Sequence, residues 1–200
     1  ISHDDALVMD SIERETRLGD EQRLEPLIAT FFEHINPHYP CVNVNELRAQ
    51  LATVTAARSP NTAADTPSTR NPQPLSRPDR YQVVALINLI EAEVRLLGDD
   101  WAPADAIPGW TNFWRAERIL SRLGWQGNGN RLTIQCLTVK ARYLLYLEHR
   151  SAAHETISRA GRLLFQLGYH DSASWAECSP FEVVMRQRIF WVVFYLERSF

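Results

Sequence analysis

The chain has 200 residues, of which 45% are hydrophobic, and this is enough for one domain with a sizeable core. Its formal net charge is -3 at pH 7 and its arginines form no run, which argues against a surface that holds a nucleic-acid backbone. No apolar run is long enough for a membrane span, and the acidic start lacks the pattern of a signal peptide. The three cysteines, Cys41, Cys136 and Cys178, show neither a disulfide framework nor a C-x-x-C knuckle, which favours a reducing compartment.

Hydrophobic periodicity predicts helices from the start of the chain onward. The first two are expected over Asp4–Arg17 and Glu21–His34. Residues 36–40, Asn-Pro-His-Tyr-Pro, should then be extended, because proline disfavours helical conformation in the residue before it. Asn45 is expected to cap a short helix that ends near Val54.

Residues 55–79 differ in composition from the rest of the chain. They are rich in Pro, Ser, Thr, Asn and Ala and contain almost no large apolar side chain. Such a segment cannot bury enough surface to offset its ordering entropy, so we predict a flexible insertion. A regulated or modified loop is the alternative interpretation, since serine and threonine abound.

Five more helices are predicted after the insertion, the last of them running into the C-terminus. They are Tyr81–Leu97, Thr111–Leu123, Arg131–Glu148, Ser151–Leu167 and a helix that follows the cap Ser179. Only two residues separate the third of these from the fourth, which indicates an antiparallel helical hairpin. No segment alternates with the period of a strand. The pattern therefore predicts an all-α fold, an irregular multi-helix bundle built of antiparallel hairpins.

Both ends of the chain look like internal positions of a longer protein. Ile1 stands where a methionine would begin a full chain, and the last helix reaches Phe200 without a helix-ending residue. We therefore expect residues to be missing on both sides and the fold to be truncated at its C-terminus.

The last helix contains the most conspicuous group of side chains: Arg186, Arg188, Phe190 and Trp191. Two arginines beside aromatic rings could hold an anionic effector or an activation segment. The favoured interpretation is structural, with the aromatic residues in the core and the arginines on the polar face. The predicted core stripe of this helix is Phe181, Met185, Ile189, Val192 and Leu196.

Other candidate chemistry has weaker support in the sequence. His34, His38 and Cys41 have a spacing that zinc ligands could use, but prolines interrupt the segment and no fourth ligand lies near. Cys136 lies within an apolar helix and is interpreted as a small hydrophobic residue. No nucleophile elbow, phosphate loop or acidic metal motif occurs, so we predict no metal site, no catalytic residue and no enzyme activity.

Four tryptophans gather around two predicted loops. They are Trp101, Trp110, Trp114 and Trp125. Aromatic residues in loops between helices can wall a ligand pocket, or they can anchor the loops onto the core. The sequence leaves both readings open, and it assigns no residue to effector binding.

Three motifs in chain order carry a family resemblance. They are the Phe-Phe helix with its Pro-x-x-Pro break at 31–40, the Leu-Gly-Tyr-His turn at 167–170, and the Arg-x-Arg-Ile-Phe-Trp helix with its Glu-Arg-Ser ending at 186–199. Together they resemble the fungal-specific transcription factor domain, the middle homology region of fungal Zn2Cys6 zinc-cluster regulators. The resemblance spans about Leu27 to Phe200. Glu197 stands where the family usually has Asp, Tyr169 replaces the usual Leu, and the Gly-Arg-Pro that follows in the family is missing because the chain ends.

The resemblance implies an all-helical regulatory domain of a nuclear, often dimeric, transcription factor that controls RNA polymerase II transcription. In that family a separate six-cysteine module binds two zinc ions and reads DNA, so zinc and DNA binding are expected only outside this chain. The implied organisation is N-terminal helices (1–54), the insertion (55–79) and the helical core (80–200), incomplete at its end. A small effector, a second copy or transcriptional co-regulators are the implied partners, without a membrane. The alternative is a helical protein-interaction scaffold without a transcriptional role.

Overall fold

The computed structural model of the protein describes residues 21–56, 75–98, 107–123 and 129–199. The predicted helix Asp4–Arg17, residues 57–74 of the insertion, and the side chains of Trp101 and Trp125 lie outside these ranges. Within the described ranges all regular structure is helical and no strand is present. The predicted all-α class and multi-helix packing are confirmed.

The described ranges contain seven α-helices. They are α1 (Glu21–Thr30), α2 (Val44–Ala56), α3 (Arg77–Leu97), α4 (Trp110–Arg122), α5 (Arg131–Tyr146), α6 (Arg150–Gln166) and α7 (Pro180–Arg198). A π-helical turn, Phe31–Ile35, continues α1, and a 3-10 turn, Ser172–Trp175, precedes α7. None of the described helices is both long and apolar enough to cross a membrane.

Helices α3 and α5 form the centre of the core. Every residue of α3 from Tyr81 to Ile90 is buried, and so is every residue of α5 from Leu132 to Val139. The two helices pack against each other; α4, α2 and α1 pack on α3, while α6 and α7 pack on α5. Cys136 lies in this centre with its thiol 3.4 Å from the carbonyl oxygen of Gln82, in agreement with its interpretation as a small core residue.

Local capping explains where most helices begin. The Ser179 hydroxyl accepts a hydrogen bond from the backbone N–H of Glu182 at 3.2 Å, which confirms the predicted cap of α7. Helix α3 begins at Arg77, before the predicted Tyr81, because Ser76 caps it and accepts from the backbone N–H of Asp79. The last residues of the segment 55–79 are therefore helical.

The chain does leave the helix after Ile35, but residues 36–39 form a turn and not the predicted extended segment, and the predicted cap Asn45 is wrong. Asn36 has helical torsion angles (φ -61°, ψ -28°), and its backbone N–H donates to Phe31 at 2.8 Å. Its side-chain amide exchanges two hydrogen bonds with the backbone of Val42, and these close the turn despite the following proline. Asn43, not Asn45, caps α2, since its side-chain oxygen accepts from the backbone N–H of Glu46 at 3.0 Å.

Candidate functional site

Helix α7 is apolar on two opposite sides. The core side is the predicted one at Met185, Ile189, Val192 and Leu196, which are all buried, whereas Phe181 is 46% exposed. The outer side carries exposed apolar residues that the core interpretation did not expect: Val184, Trp191, Phe194 and Tyr195.

The prediction that the aromatic residues of this helix lie in the core is wrong for most of them. Trp191 is 62% exposed and Tyr195 is 61% exposed, while Phe190 is half-buried at the edge of the core. The reason is geometric. The residues on the core side already fill the space against α5 and α6, and Trp191 follows Ile189 by two positions, about 200° around the helix.

The exposed rings on the outer side contact one another. Trp191 meets Phe190 and Phe194 edge-on, with ring centroids 5.4 and 5.8 Å apart, and the two phenylalanines stack at 6.2 Å. The guanidinium of Arg198 lies 5.1 Å from the centroid of the Phe194 ring. These contacts are of the kind that orient aromatic side chains, so the outer side presents an ordered aromatic surface.

A cleft separates this outer side from the turn that follows α1. We call it the α7 cleft. It has a volume of about 470 Å³ and is lined by His38, Tyr39, Pro40, Val184, Gln187, Arg188, Trp191, Val192 and Tyr195. The rings of Tyr39 and Tyr195 approach to 6.2 Å across it. Residues far apart in the sequence thus form one concave aromatic surface.

The two arginines of the predicted group have different surroundings. Arg186 pairs with Glu182 at 3.1 Å and lies 5.0 Å from the ring centroid of Tyr169, as the structural interpretation expected. Arg188 is exposed and lines the α7 cleft, and it forms no ion pair within the described residues. None of the residues that line the cleft is acidic. Within the described part of the chain, the cleft therefore combines apolar rings with a positive charge that no acidic lining residue compensates.

A buried ion pair lies behind the cleft. Arg142 of α5 and Glu93 of α3 are both fully buried, and their nearest nitrogen and oxygen are 2.5 Å apart. The Arg142 guanidinium also lies 5.0 Å from the ring centroid of Tyr39 and 5.8 Å from that of Phe31. The buried guanidinium of Arg142 thus packs on the Tyr39 ring, which is part of the wall of the cleft.

The charges of this pair depend on each other. Burial raises the pKa of Glu93, and the neighbouring Arg142 opposes that rise. Burial lowers the pKa of Arg142, but the Glu93 carboxylate, with smaller contributions from Cys41 and Tyr146, more than offsets this, so that pKa is raised. Sequence reasoning missed the pair, because each member has other charged residues near it in its own helix: Glu91 and Arg95 beside Glu93, and Lys140 beside Arg142.

A second groove lies between α4, α5 and α6. It has a volume of about 410 Å³ and is lined by Phe113, Trp114, Glu117, Leu137, Lys140, Leu144, Ala152, Glu155, Thr156 and Arg159. Its lining contains two acidic and two basic residues, so its formal charge is balanced, and Lys140 pairs with Glu117 at 2.6 Å. This groove consequently has no charge preference that would select a ligand.

Two of the predicted tryptophans fall within the described residues, and their positions differ. Trp110 stacks on Phe113 at 5.3 Å, and Phe113 stacks in turn on Tyr143 at 5.0 Å. The Tyr143 hydroxyl donates to the carbonyl of Pro108 at 2.8 Å, so these rings anchor the preceding loop onto the core. Trp114 is 48% exposed and lines the second groove. Trp110 thus anchors a loop onto the core, and a ligand pocket at the tryptophans stays a prediction.

In the structure, His34, His38 and Cys41, whose sequence spacing zinc ligands could use, do not form one group. Cys41 is fully buried beside Arg142, and burial raises its pKa to about 11. His34 is exposed on α1's continuation, and His38 lines the α7 cleft. Among the described residues, no group of three or more His, Cys, Asp or Glu side chains is arranged to hold a metal ion.

The geometry defines an all-α multi-helix domain with an aromatic, positively charged cleft beside helix α7. No protein-family model matches the sequence, and comparisons with curated proteins and with solved structures gave no significant match.

Proposed function

We propose that this chain is the regulatory middle-homology domain of a fungal zinc-cluster transcription factor. It would act in the nucleus on RNA polymerase II transcription, with DNA bound by a zinc-cluster module outside the chain. The proposal rests on the sequence motifs and on how the described residues of those motifs pack together.

The observation that carries the proposal is that all three motifs meet at α7. Tyr39, from the break after the phenylalanine-rich helix, faces Tyr195 of α7 at 6.2 Å. Tyr169, from the Leu-Gly-Tyr-His turn, lies under Arg186 of α7. A common packing partner gives a physical reason for these motifs to occur together in one chain.

The domain would act through non-covalent contacts, and we expect no catalytic role. Helix α7 packs on the core with one side, and within the described residues its outer side is open, so a molecule that binds the outer side would stabilise one arrangement of α7 against the core. A ligand shifts such an equilibrium only by its difference in affinity between the two arrangements.

A reporter assay tests the proposal directly. The chain is placed between a heterologous DNA-binding module and a strong activation segment, and reporter output is compared with that of the fusion without the chain. A regulatory domain should change the output, and the Arg142→Met variant, which weakens the core behind the cleft, should change it differently. Equal output from the fusions with and without the chain would contradict the proposal, as would an upstream sequence that has no six-cysteine cluster.

The second candidate function is a protein-interaction scaffold without a transcriptional role. The exposed aromatic side of α7 favours it, because contiguous exposed apolar surface commonly marks an interaction site. Such a scaffold should leave the reporter unchanged and should still bind a partner through α7.

A further inference from the structure

The outer side of α7 has the sequence pattern of a helix–helix seam. Val184, Trp191 and Arg198 are seven residues apart, and so are Arg188 and Tyr195. Residues at heptad spacing lie along one line on a helix, and this line faces away from the core. Helices that are apolar on two sides are normally covered on both. Within the described residues, nothing covers the outer side of α7.

The length of the seam matches a short helix. From Val184 to Tyr195 the seam spans about 16 Å, or about three turns, at 1.5 Å per residue. The turn at Tyr39 and Pro40 forms a second wall along it, so the surface is a groove and not a flat patch. The described residues offer no strand edge to which an extended peptide could add.

The charge of the groove indicates the charge of its occupant. Arg188 lines it without an ion-pair partner in the described residues, and Arg198 stands one heptad beyond Trp191 on the same line. The lining contains no carboxylate. An apolar occupant with acidic residues beside its apolar face would complement both the rings and the guanidinium groups, whereas a basic one would be repelled.

Contacts within the chain hold the rings that line the groove. Tyr39 is held from behind by Arg142, and Trp191 is in contact with Phe190 and Phe194. Preformed aromatic anchors reduce the entropy lost on binding, and this is characteristic of residues that dominate an interface.

We propose that the α7 cleft binds an acidic amphipathic helix of a partner protein, with apolar side chains spaced three and four residues apart that pack on Trp191 and Tyr195 and carboxylates that face Arg188. The inference rests on the proposed function in one respect: it names the class of partner protein through which the regulatory domain would act. Binding is measured on the purified chain, so it can fail or succeed independently of the reporter assay.

The test uses two synthetic peptides of equal length and identical leucine spacing, labelled with fluorescein. One has glutamates beside the leucine face and the other has lysines at those positions. Fluorescence anisotropy with the full chain should show at least tenfold tighter binding of the glutamate peptide. Trp191→Ala should weaken that binding at least tenfold. Arg188→Glu should reverse the preference between the two peptides.

The controls separate the cleft from the rest of the surface. Arg115→Glu introduces the same charge change on α4, at an exposed residue that does not line the cleft, and should leave the preference intact. Trp191 and Arg188 are exposed, so their variants should retain the helical circular dichroism and the melting temperature of the parent chain.

Three results would overturn the inference. Equal affinity for the two peptides would show that the charge of the occupant does not affect binding. Unchanged affinity of Trp191→Ala for the glutamate peptide would show that the peptide does not bind in the cleft. Concentration-dependent self-association of the parent chain that Trp191→Arg abolishes, measured by sedimentation, would assign the cleft to a second copy and not to a partner protein.

Discussion

Replacing Arg142 by methionine removes the cation from the centre of the core while it keeps a side chain of comparable length. Arg142 is 1% exposed and Glu93 is 0% exposed, so the remaining carboxylate has no access to water and loses its charged partner. Removing one member of a buried ion pair typically costs about 3–5 kcal/mol of the free energy of unfolding. The lost cation–π contacts with Tyr39 and Phe31 add about 1 kcal/mol.

Urea denaturation followed by circular dichroism measures this loss. The double variant Glu93→Leu/Arg142→Met is the matched control, because it removes both charges and leaves no buried carboxylate unpaired. We expect it to recover most of the loss, since well-packed apolar replacements of buried ion pairs are often neutral or stabilising. The coupling free energy of this cycle should exceed about 1 kcal/mol.

The same variant makes a prediction about pH. In Arg142→Met the carboxylate of Glu93 keeps the effect of burial, which raises its pKa, and loses the guanidinium that opposes it. Its pKa in the folded state then lies above that in the unfolded chain, so stability is highest at low pH and falls as the pH rises through the folded-state pKa. Acidification from neutral pH to about pH 5 should therefore recover up to about 1.4 kcal/mol per pH unit. A single-residue loss below about 1 kcal/mol, or a double variant that loses the sum of the two single effects, would refute the reasoning.

Five further outcomes are expected. Gly109→Ala should destabilise the chain by about 2–4 kcal/mol, because Gly109 has φ 76° and an added Cβ would stand 2.3 Å from the carbonyl oxygen of Ala92. Gly161→Ala should change the free energy of unfolding by less than about 1 kcal/mol, because its added Cβ would meet only ordinary contacts. Equal effects of Gly109→Ala and Gly161→Ala in urea denaturation would contradict the predicted clash at Gly109. Iodoacetamide should modify half-exposed Cys178 well before buried Cys41, as mass spectrometry of the native chain would show, and simultaneous labelling would contradict the burial. The free energy of unfolding should fall as the pH rises from about 9 to about 11. Burial raises the pKa of Cys41 from 9.0 to about 11, so the unfolded chain loses this proton at a lower pH than the folded chain. Cys41→Ala should therefore make the melting temperature less sensitive to pH over that range. A thermal-shift screen with small metabolites should give larger shifts for anions than for cations if the cleft accepts an effector, and the Arg188→Gln variant should remove the difference.

Local signals in the sequence account for the helices of this fold. The cap at Ser179 with its following proline and Glu182, and the Glu91–Arg95 pair at 2.7 Å, join residues within four positions of each other. Such interactions depend on the helix alone, and so the sequence is sufficient to predict them. The apolar periodicity likewise predicts the all-α class, because a helix is the element that brings residues three and four positions apart onto one face.

Errors in prediction occur where a distant partner decides the outcome. Asn36 remains helical before a proline because its side chain bonds to Val42, on the far side of the turn. Glu93 and Arg142 are 49 positions apart, and neither helix alone shows that the other will supply a countercharge.

Helix α7 shows, within one helix, which features the sequence determines and which the tertiary structure decides. Its sequence determines that apolar residues occupy two opposite sides and that arginines stand among the outer aromatic ones. Which side is buried depends on where α5 and α6 stand, because burial is a property of the space between elements. Only the tertiary structure turns Met185 and Ile189 inward, leaves Trp191 at the surface and brings Tyr39 beside it to form the cleft.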